Sequence, residues 1–197
     1  MLESIKTALK LPDLRKKLLW TVALLAIFRL GVHIPVPGMT PIQAGQNNIF
    51  DLLDLLGGGA LRRMSIFALS VNPYITSSII MQLLAMVIPS LEALAKEGAE
   101  GRKIISQYTR YGTVVLGIIQ AAALTFSFRG NMVDASNPFN YVVVIAGMTA
   151  GSIFLMWVGE VLSERGIGNG ISMLIFAGIV ARLMPETIAT VKSLGQG

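Results

Sequence analysis

The sequence predicts an all-α membrane protein, and two observations support this class. Of its 197 residues, 53% are hydrophobic and only 14% are charged, whereas an ordinary soluble domain is about 45–50% apolar and about 25% charged. Five stretches of the chain also approach the roughly 20 apolar residues that a membrane helix needs. A spanning segment must satisfy its backbone hydrogen bonds internally, so each stretch is expected to be helical.

The predicted spans carry few charges. Arg29 lies deep in the first, Arg110 lies in the first turns of the third, and Arg182 lies near the end of the fifth. Arg29, the deepest of the three, is a functional candidate, unless it pairs within the bundle or reaches the interface through its long side chain. The spans are residues 18–36, 64–90, 104–128, 139–160 and 167–185. Residues 18–197 therefore form one predicted membrane domain.

The N-terminal segment, residues 1–17, is predicted to be cytoplasmic and amphipathic. Leu2, Ile5 and Leu9 share one helical face, so a short helix on the membrane surface fits the pattern. A frayed tail fits it equally well. The apolar run that follows begins only at Leu18 and lacks the small-residue cleavage pattern of a signal peptide.

Lysine and arginine predict the orientation, because they are retained in cytoplasmic loops. With the N-terminus inside, ten of them fall on the cytoplasmic side and four outside. The cytoplasmic set is Lys6, Lys10, Arg15, Lys16, Lys17, Lys96, Arg102, Lys103, Arg110 and Arg165, and the external set is Arg62, Arg63, Arg129 and Lys192. The net charge of +5 is thus membrane-flanking charge, and nucleic acid is not expected as a direct partner.

Residue types needed for catalysis or metal binding are scarce. The chain has no Cys and one His, which argues against disulfides, thiol catalysis and His-cluster metal sites. The glycine-rich run ERGIGNGIS, residues 164–172, is not a phosphate-binding loop, because its spacing is not GxGxxG and no strand precedes it. Its glycines instead predict a tight turn into the fifth span. We expect a protein that is not an enzyme and uses no cofactor or metal.

A short apolar segment separates the first two predicted spans. Its apolar face and glycine stop are Ile49, Leu52, Leu53, Leu56, Gly57, Gly58 and Gly59. Asn48 is suited to cap the start of a helix there, and the glycines are suited to end it. Two turns are too short to span a membrane. The segment either lies in the interface or re-enters the bundle, and the pattern does not distinguish the two.

The second predicted span is polar for a membrane helix. One stripe at helical spacing contains Val71, Ile75, Ser78 and Gln82. This mixture of branched aliphatic and hydrogen-bonding side chains suits the wall of a gated aqueous passage closed by an apolar constriction. Helix packing, with hydroxyl groups bonding neighbouring helices, is the more ordinary explanation.

Two weaker patterns occur in later spans. Ile171 and Ile175, in the fifth, repeat the four-residue spacing of the aliphatic pair in the second. In the fourth, Gly147 and Gly151 form a GxxxG motif, which lets a neighbouring helix approach closely. Neither pattern is specific alone.

Four long strings of the sequence carry a resemblance to a known family. They are FRLGVHIPVPG (28–38), GGALRRMSIFALSVNPYITSSIIMQLL (58–84), EGAEGRKIISQYTRYGT (97–113) and MWVGEVLSERGIGNGISMLIFAGIVA (156–181). In this order, and over essentially the whole chain, they resemble the SecY family, the central subunit of the protein-translocation channel. Strings of this length are far more specific than the short motifs.

The resemblance implies a ten-helix channel of two pseudosymmetric five-helix halves around an hourglass pore, of which this sequence matches the first. It also implies a plug at residues 49–63 that fills the external funnel, which favours re-entry of the short apolar segment. The pore ring would include Val71, Ile75, Ile171 and Ile175, and one side of a lateral gate to lipid would include Thr76, Ser77, Ser78 and Ile79.

The function implied by the resemblance is translocation of unfolded secretory polypeptides across the bacterial cytoplasmic membrane and release of membrane helices into it. The implied partners are SecE-like and SecG-like small subunits, the SecA motor or the ribosome, polypeptides with signal sequences, and the lipid bilayer. A C-terminal half is also expected, because the family continues beyond Gly197. The alternative is half of an inverted-repeat secondary transporter for a small solute.

Overall fold

The computed structural model describes residues 12–42, 54–55 and 57–194, with side chains described as far as residue 183. The helices in these ranges are α1 (Pro12–Gly31), α2 (Asn72–Val87), α3 (Pro89–Lys96), α4 (Ala99–Ser127), α5 (Pro138–Arg165) and α6 (Gly170–Leu194). A single 3-10 turn follows α4, and the β pairing among the described residues is limited to two isolated bridges. The predicted all-α class is confirmed.

One helix in the described part of the chain is long and apolar enough to cross a membrane. This is α5, whose most apolar window has a mean hydropathy of 2.0. A second candidate arises if α2 and α3, which are bent by 102° relative to each other, count as one broken span. A shorter apolar helix covers Gly170–Leu183. The number of five spans therefore stays a prediction.

The structure corrects the helical start of the second predicted span. Residues 64–71 form turns, with Met64 and Ser70 at φ of 46° and 53°, and α2 begins only at Asn72 with Pro73 in its first turn. Proline suits that place because its missing N–H would have no partner within the helix. The predicted helix to residue 90 is also interrupted, by the bend before α3.

The first predicted span is offset in the opposite direction, toward the N-terminus. The prediction covers residues 18–36, whereas α1 begins at Pro12 and ends at Gly31. The chain then turns through a stretch with Pro35 and Pro37, residues that disfavour continuation of a helix. The three later helices extend beyond the predicted spans at one end or both.

The turn segment, residues 57–71, lies at the centre of the packing. Phe67 stacks between Phe28 of α1 and Phe154 of α5, with ring centroids 6.2 and 6.0 Å away. One apolar cluster joins the turn segment to α1, α5 and α6, and a second joins it to α4, α5 and the loop after α1. A segment without regular structure is thus held by helices on several sides.

The GxxxG glycines of α5 lie against the turn segment and the loop after α1, and not against another helix. A Cβ at Gly151 would overlap the backbone carbonyl of Ile66 in the turn segment. A Cβ at Gly147 would lie 3.5 Å from the side chain of Val36, an ordinary contact. The expected close approach of a neighbouring helix to this motif is therefore corrected to close approach of the turn segment.

The segments that connect the helices lie at one or the other end of the bundle. Arg165 at the end of α5 lies with its guanidinium carbon 5.2 Å from the ring centroid of Trp20, and it lines a depression with Asp13 in the first turn of α1. Arg102 near the start of α4 and Glu164 of α5 line one depression, so the start of α4 shares this end. The loops after α1 and after α4 meet at the other end, where backbone hydrogen bonds join them.

Candidate functional site

A groove of about 560 Å³ opens between α2, α4, α5 and α6. Its wall is formed by Tyr74, Ile75, Ser78, Ile79, Gln82, Ser106, Arg110, Gly159, Glu160, Ser163, Glu164, Asn169, Ile171, Ser172 and Ile175. Aliphatic side chains alternate there with hydroxyl, amide and charged groups. The stripe predicted on the second span faces this groove through three of its four members.

Three of the four predicted ring residues lie on the groove wall. They are Ile75 of α2 and Ile171 and Ile175 of α6, and all three also pack against the apolar cluster behind the wall. Val71 is inside that cluster, with 2% of its surface exposed. Gly159 of α5 lets Ile171 approach closely, since a Cβ there would overlap the isoleucine side chain.

The predicted gate residues do not share one environment. Ser78 and Ile79 line the groove, and Thr76 is exposed. Ser77 is buried, and its hydroxyl donates a hydrogen bond to the backbone carbonyl of Thr109 in α4 at 2.7 Å. Ser77 therefore ties α2 to α4, while its neighbours face open space.

An ion pair joins α4 to α5 on the groove wall. Nε of Arg110 donates to Oε1 of Glu160 at 2.9 Å, with half of the arginine side chain and 19% of the glutamate side chain exposed. Solvent-exposed pairs contribute only about 0–1 kcal/mol to stability. The main consequence of this pair is a charged, hydratable patch close to the isoleucines.

The glycine-rich turn before α6 is confirmed by the structure. The backbone N–H of Gly170 donates to Oγ of Ser163 at 2.8 Å, and that of Ile167 donates to Oγ1 of Thr21 at 3.1 Å. Gly168 has φ of 73°, a conformation that glycine adopts without steric cost. The turn fixes the start of α6 against α1 and α5, and so positions the isoleucines of α6.

Part of the predicted plug belongs to the turn segment. Its apolar face, Ile49, Leu52, Leu53 and Leu56, lies outside the described residues. Gly57 and Gly58 are buried, and Gly59 is half-buried. The carbonyl of Gly58 accepts a hydrogen bond from Nη1 of Arg29 at 3.2 Å. Of the alternatives open for Arg29, the structure therefore has it paired within the bundle.

A buried carboxylate beside these glycines was not expected from the sequence. Asp54 has no exposed surface, and it forms ion pairs with Arg182 of α6 and with Arg62. The available signal was Arg182 inside a predicted span, because a charge there calls for a partner. Sequence spacing alone does not identify that partner. Over the described ranges, no cluster of three His, Cys, Asp or Glu side chains could hold a metal ion.

The fold is the one found in protein-conducting channels. The chain is similar to Sec61 in the canine ribosome–channel complex from the endoplasmic reticulum, with a TM-score of 0.70 and 26% identity over 95% of this chain and 43% of that one. It is also similar to a structure of SecY that concerns its plug domain, with a TM-score of 0.59 and 25% identity over 85% of this chain and 36% of that one.

Sequence comparison is more specific. The SecY family model matches residues 65–196, and the chain belongs to the SecY family. Protein translocase subunit SecY of Pseudomonas aeruginosa is 47% identical over 95% of this chain and 44% of that protein. The Bacillus subtilis subunit is 43% identical over 97% of this chain and 46% of that protein. The chain thus spans about half the length of the curated relatives it matches, and these findings do not support the small-solute transporter alternative.

Proposed function

We propose that this chain forms one half of a protein-conducting channel and that the groove is its contribution to the wall of the passage. The observation that carries the proposal is that Ile75, Ile171 and Ile175 lie together on a wall otherwise rich in hydroxyl, amide and charged groups. Polar groups keep the approach hydrated, while an apolar constriction excludes water and ions. Isoleucine offers a passing polypeptide no specific hydrogen bond, which suits substrates of varied sequence.

The seal is formed by these three isoleucines, with Val71 supporting them from the cluster behind the wall. A complementary half of the channel supplies the opposite side of the ring. The plug, residues 49–63, fills the external funnel, and the turn segment anchors it. Thr76, Ser77, Ser78 and Ile79 belong to one side of the lateral gate, where Ser77 holds the gate helix to α4 and Ser78 and Ile79 face the substrate.

The chain works in the bacterial cytoplasmic membrane as a multi-pass subunit with a cytoplasmic N-terminus. SecE-like and SecG-like subunits, and the SecA motor or the ribosome, are its proposed partners; the energy for translocation comes from the motor or from protein synthesis. The chain itself performs no catalysis and binds no cofactor. Support comes from the relatives, which are protein translocase subunits, and from the similarity to Sec61 in a ribosome–channel complex.

Conductance of the complete channel tests the seal. Ile75→Ser and Ile175→Ser should each raise ion leakage of the resting channel in a planar bilayer, because a hydroxyl group wets the constriction. The matched control is Ile119→Ser on α4, where the side chain is 58% exposed and away from the groove. Equal leakage from the control and the ring variants, or none from the ring variants, would contradict the proposal.

Thiol labelling tests the orientation. The chain has no cysteine, so a Cys placed at Gly98 or at Asn131 provides its one reactive thiol. An impermeant reagent applied to intact cells should label the residue-131 variant and leave the residue-98 variant unlabelled. The reverse result would show that the proposed topology is inverted.

A further inference from the structure

A buried ion pair connects Asp54, which lies three residues before the turn segment, to Arg182 of α6. We propose that Asp54 and Arg182 form a latch that keeps the plug seated, with single charge removal releasing it. The proposal rests on the proposed function, because it assigns a role to the plug of that channel. The latch acts in the resting channel and assigns no new role to the isoleucines of the seal.

The carboxylate of Asp54 is positioned by contacts on both oxygens. Oδ1 accepts the backbone N–H of Arg62 at 2.8 Å. Oδ2 pairs with Nη1 of Arg182 and lies 3.7 Å from Nε of Arg62. Asp54 has no exposed surface and the Arg182 side chain is 12% exposed, so the pair is formed in a largely water-free environment.

The backbone next to Asp54 is held by α1 and α6 as well. The carbonyl of Asp54 accepts the N–H of Gly59 at 2.9 Å, which closes a tight turn. Arg29 of α1 donates to the carbonyl of Gly58. A Cβ at Gly58 would lie 3.0 Å from the Cα of Gly178 in α6, so the two backbones approach as closely as glycines allow. The charges therefore meet only when this turn is seated against α6.

Burial decides what such a pair does. Moving two charges out of water costs about as much as their attraction returns, so a buried pair adds little net stability. Removing one partner of a buried pair is strongly destabilising. Arg182→Met would leave the buried Asp54 carboxylate only its longer ion-pair contact with Nε of Arg62 at 3.7 Å, and Asp54→Asn would leave Arg182 facing a neutral side chain. A seated plug in which one of the two charges is missing is therefore disfavoured. A latch of this kind predicts that loss of one charge opens the plug and that loss of both restores closure.

The experiment compares Arg182→Met, Asp54→Asn and the double variant in the complete channel. Each single variant should raise resting conductance by about tenfold or more, and the double variant should return to within roughly threefold of the parent. A Cys at Leu55, which is half-buried next to the latch, reports plug release independently through its rate of labelling from outside. That rate should rise in the single variants and fall again in the double variant.

Arg129→Met is the matched control, because it removes an exposed arginine from the connection after α4, which, like the turn segment, is joined by backbone hydrogen bonds to the loop after α1. If the single variants stay tight while Ile75→Ser leaks, the latch is wrong and the channel proposal stands. If Ile75→Ser is also tight, the proposed function fails as well. A double variant as leaky as the two singles combined would overturn the pairing.

If a single variant does not assemble, recovery of assembled complex by the double variant supports the latch, and failure to recover it contradicts the latch.

Discussion

Two regions of the molecule that meet at α2 differ in how tightly their side chains pack. In the first, which we term the closed side, the turn segment fills the space between α1 and α5 with buried aromatic and aliphatic side chains. In the second, the groove leaves isoleucine and serine side chains partly facing open space. The closed side has the interlocking contacts of a protein core, which tolerates little displacement. The groove side keeps fewer such contacts, and this is the side on which the proposed passage would have to widen.

The largest expected effect is on the closed side, at Phe67. Phe67→Ala should destabilise the assembled complex by about 3–5 kcal/mol, because it empties a site that is 2% exposed and stacked between two rings. Ile79→Ala on the groove side, where the side chain is 51% exposed, should cost about 0.5 kcal/mol or less. Unfolding in a mixed-micelle detergent titration measures both. Similar losses at the two positions would remove the contrast between the sides.

The next effect tests how closely the turn segment fits α5. Gly151→Ala should cost about 1–3 kcal/mol, because its Cβ would overlap the carbonyl of Ile66, and backbone cannot move aside as a flexible side chain can. Gly147→Ala is the matched control one helical turn earlier, with its Cβ at an ordinary 3.5 Å from Val36. The same titration should find the control near the parent. A tolerated alanine at residue 151 would mean that the turn segment is not locked against α5.

A smaller effect is expected where the closed side meets the groove. Ser77→Ala should cost about 0.5–1.5 kcal/mol, the net worth of one buried hydrogen bond. The loss is limited because the carbonyl of Thr109 also accepts the hydroxyl of Thr113 at 2.7 Å. Ser78→Ala, on the neighbouring groove residue, should leave stability unchanged within about 0.5 kcal/mol. A larger loss at residue 78 than at residue 77 would reverse the assignment of their environments.

The sequence predicted the helices better than it predicted the closed side. Long apolar runs located α4, α5 and α6, because helix formation in an apolar run is a local property. The stretch before α2 is also apolar, and hydropathy therefore counted residues 64–71 as helix. The turn signals were Ser70 with Asn72 and Pro73, residues that favour turns and helix starts. The length of the charge-free apolar run outweighed these signals.

The candidate site was predictable only in part. Spacing of four placed the isoleucines of α6 on one helical face, and three of the four ring residues do share a groove wall. Contacts between residues far apart in the chain were not predictable. The pairs Arg110–Glu160 and Asp54–Arg182 join residues 50 and 128 positions apart, and no local pattern links such partners. They depend on how the helices are arranged.

The smallest expected effect is at the rim of the closed side, in the loop between α4 and α5. Asp134 is exposed, and the hydroxyl and backbone N–H of Ser136 donate to its Oδ1 at 2.6 and 3.1 Å. These hydrogen bonds favour the charged form and lower the pKa of Asp134 below its ordinary value. A carboxyl group with a lowered pKa in the folded state contributes stability above its unfolded pKa of about 3.9. That contribution is lost as the pH falls through the lower folded value.

Ser136→Ala should therefore raise the pKa of Asp134 toward its ordinary value, because the hydroxyl bond is the largest cause of the shift. A carbon-13 NMR titration of labelled aspartate side chains measures the change. Ser127→Ala, which removes an exposed hydroxyl bonded to the carbonyl of Ala123, should leave the pKa of Asp134 where it is. Because the loop is also joined to the chain after α1 by a backbone hydrogen bond from Val133 to Gly38 at 3.0 Å, its conformation does not depend on the hydroxyl alone. A titration of Asp134 that is identical in the parent and the Ser136 variant would mean that this rim is not ordered as the rest of the closed side is.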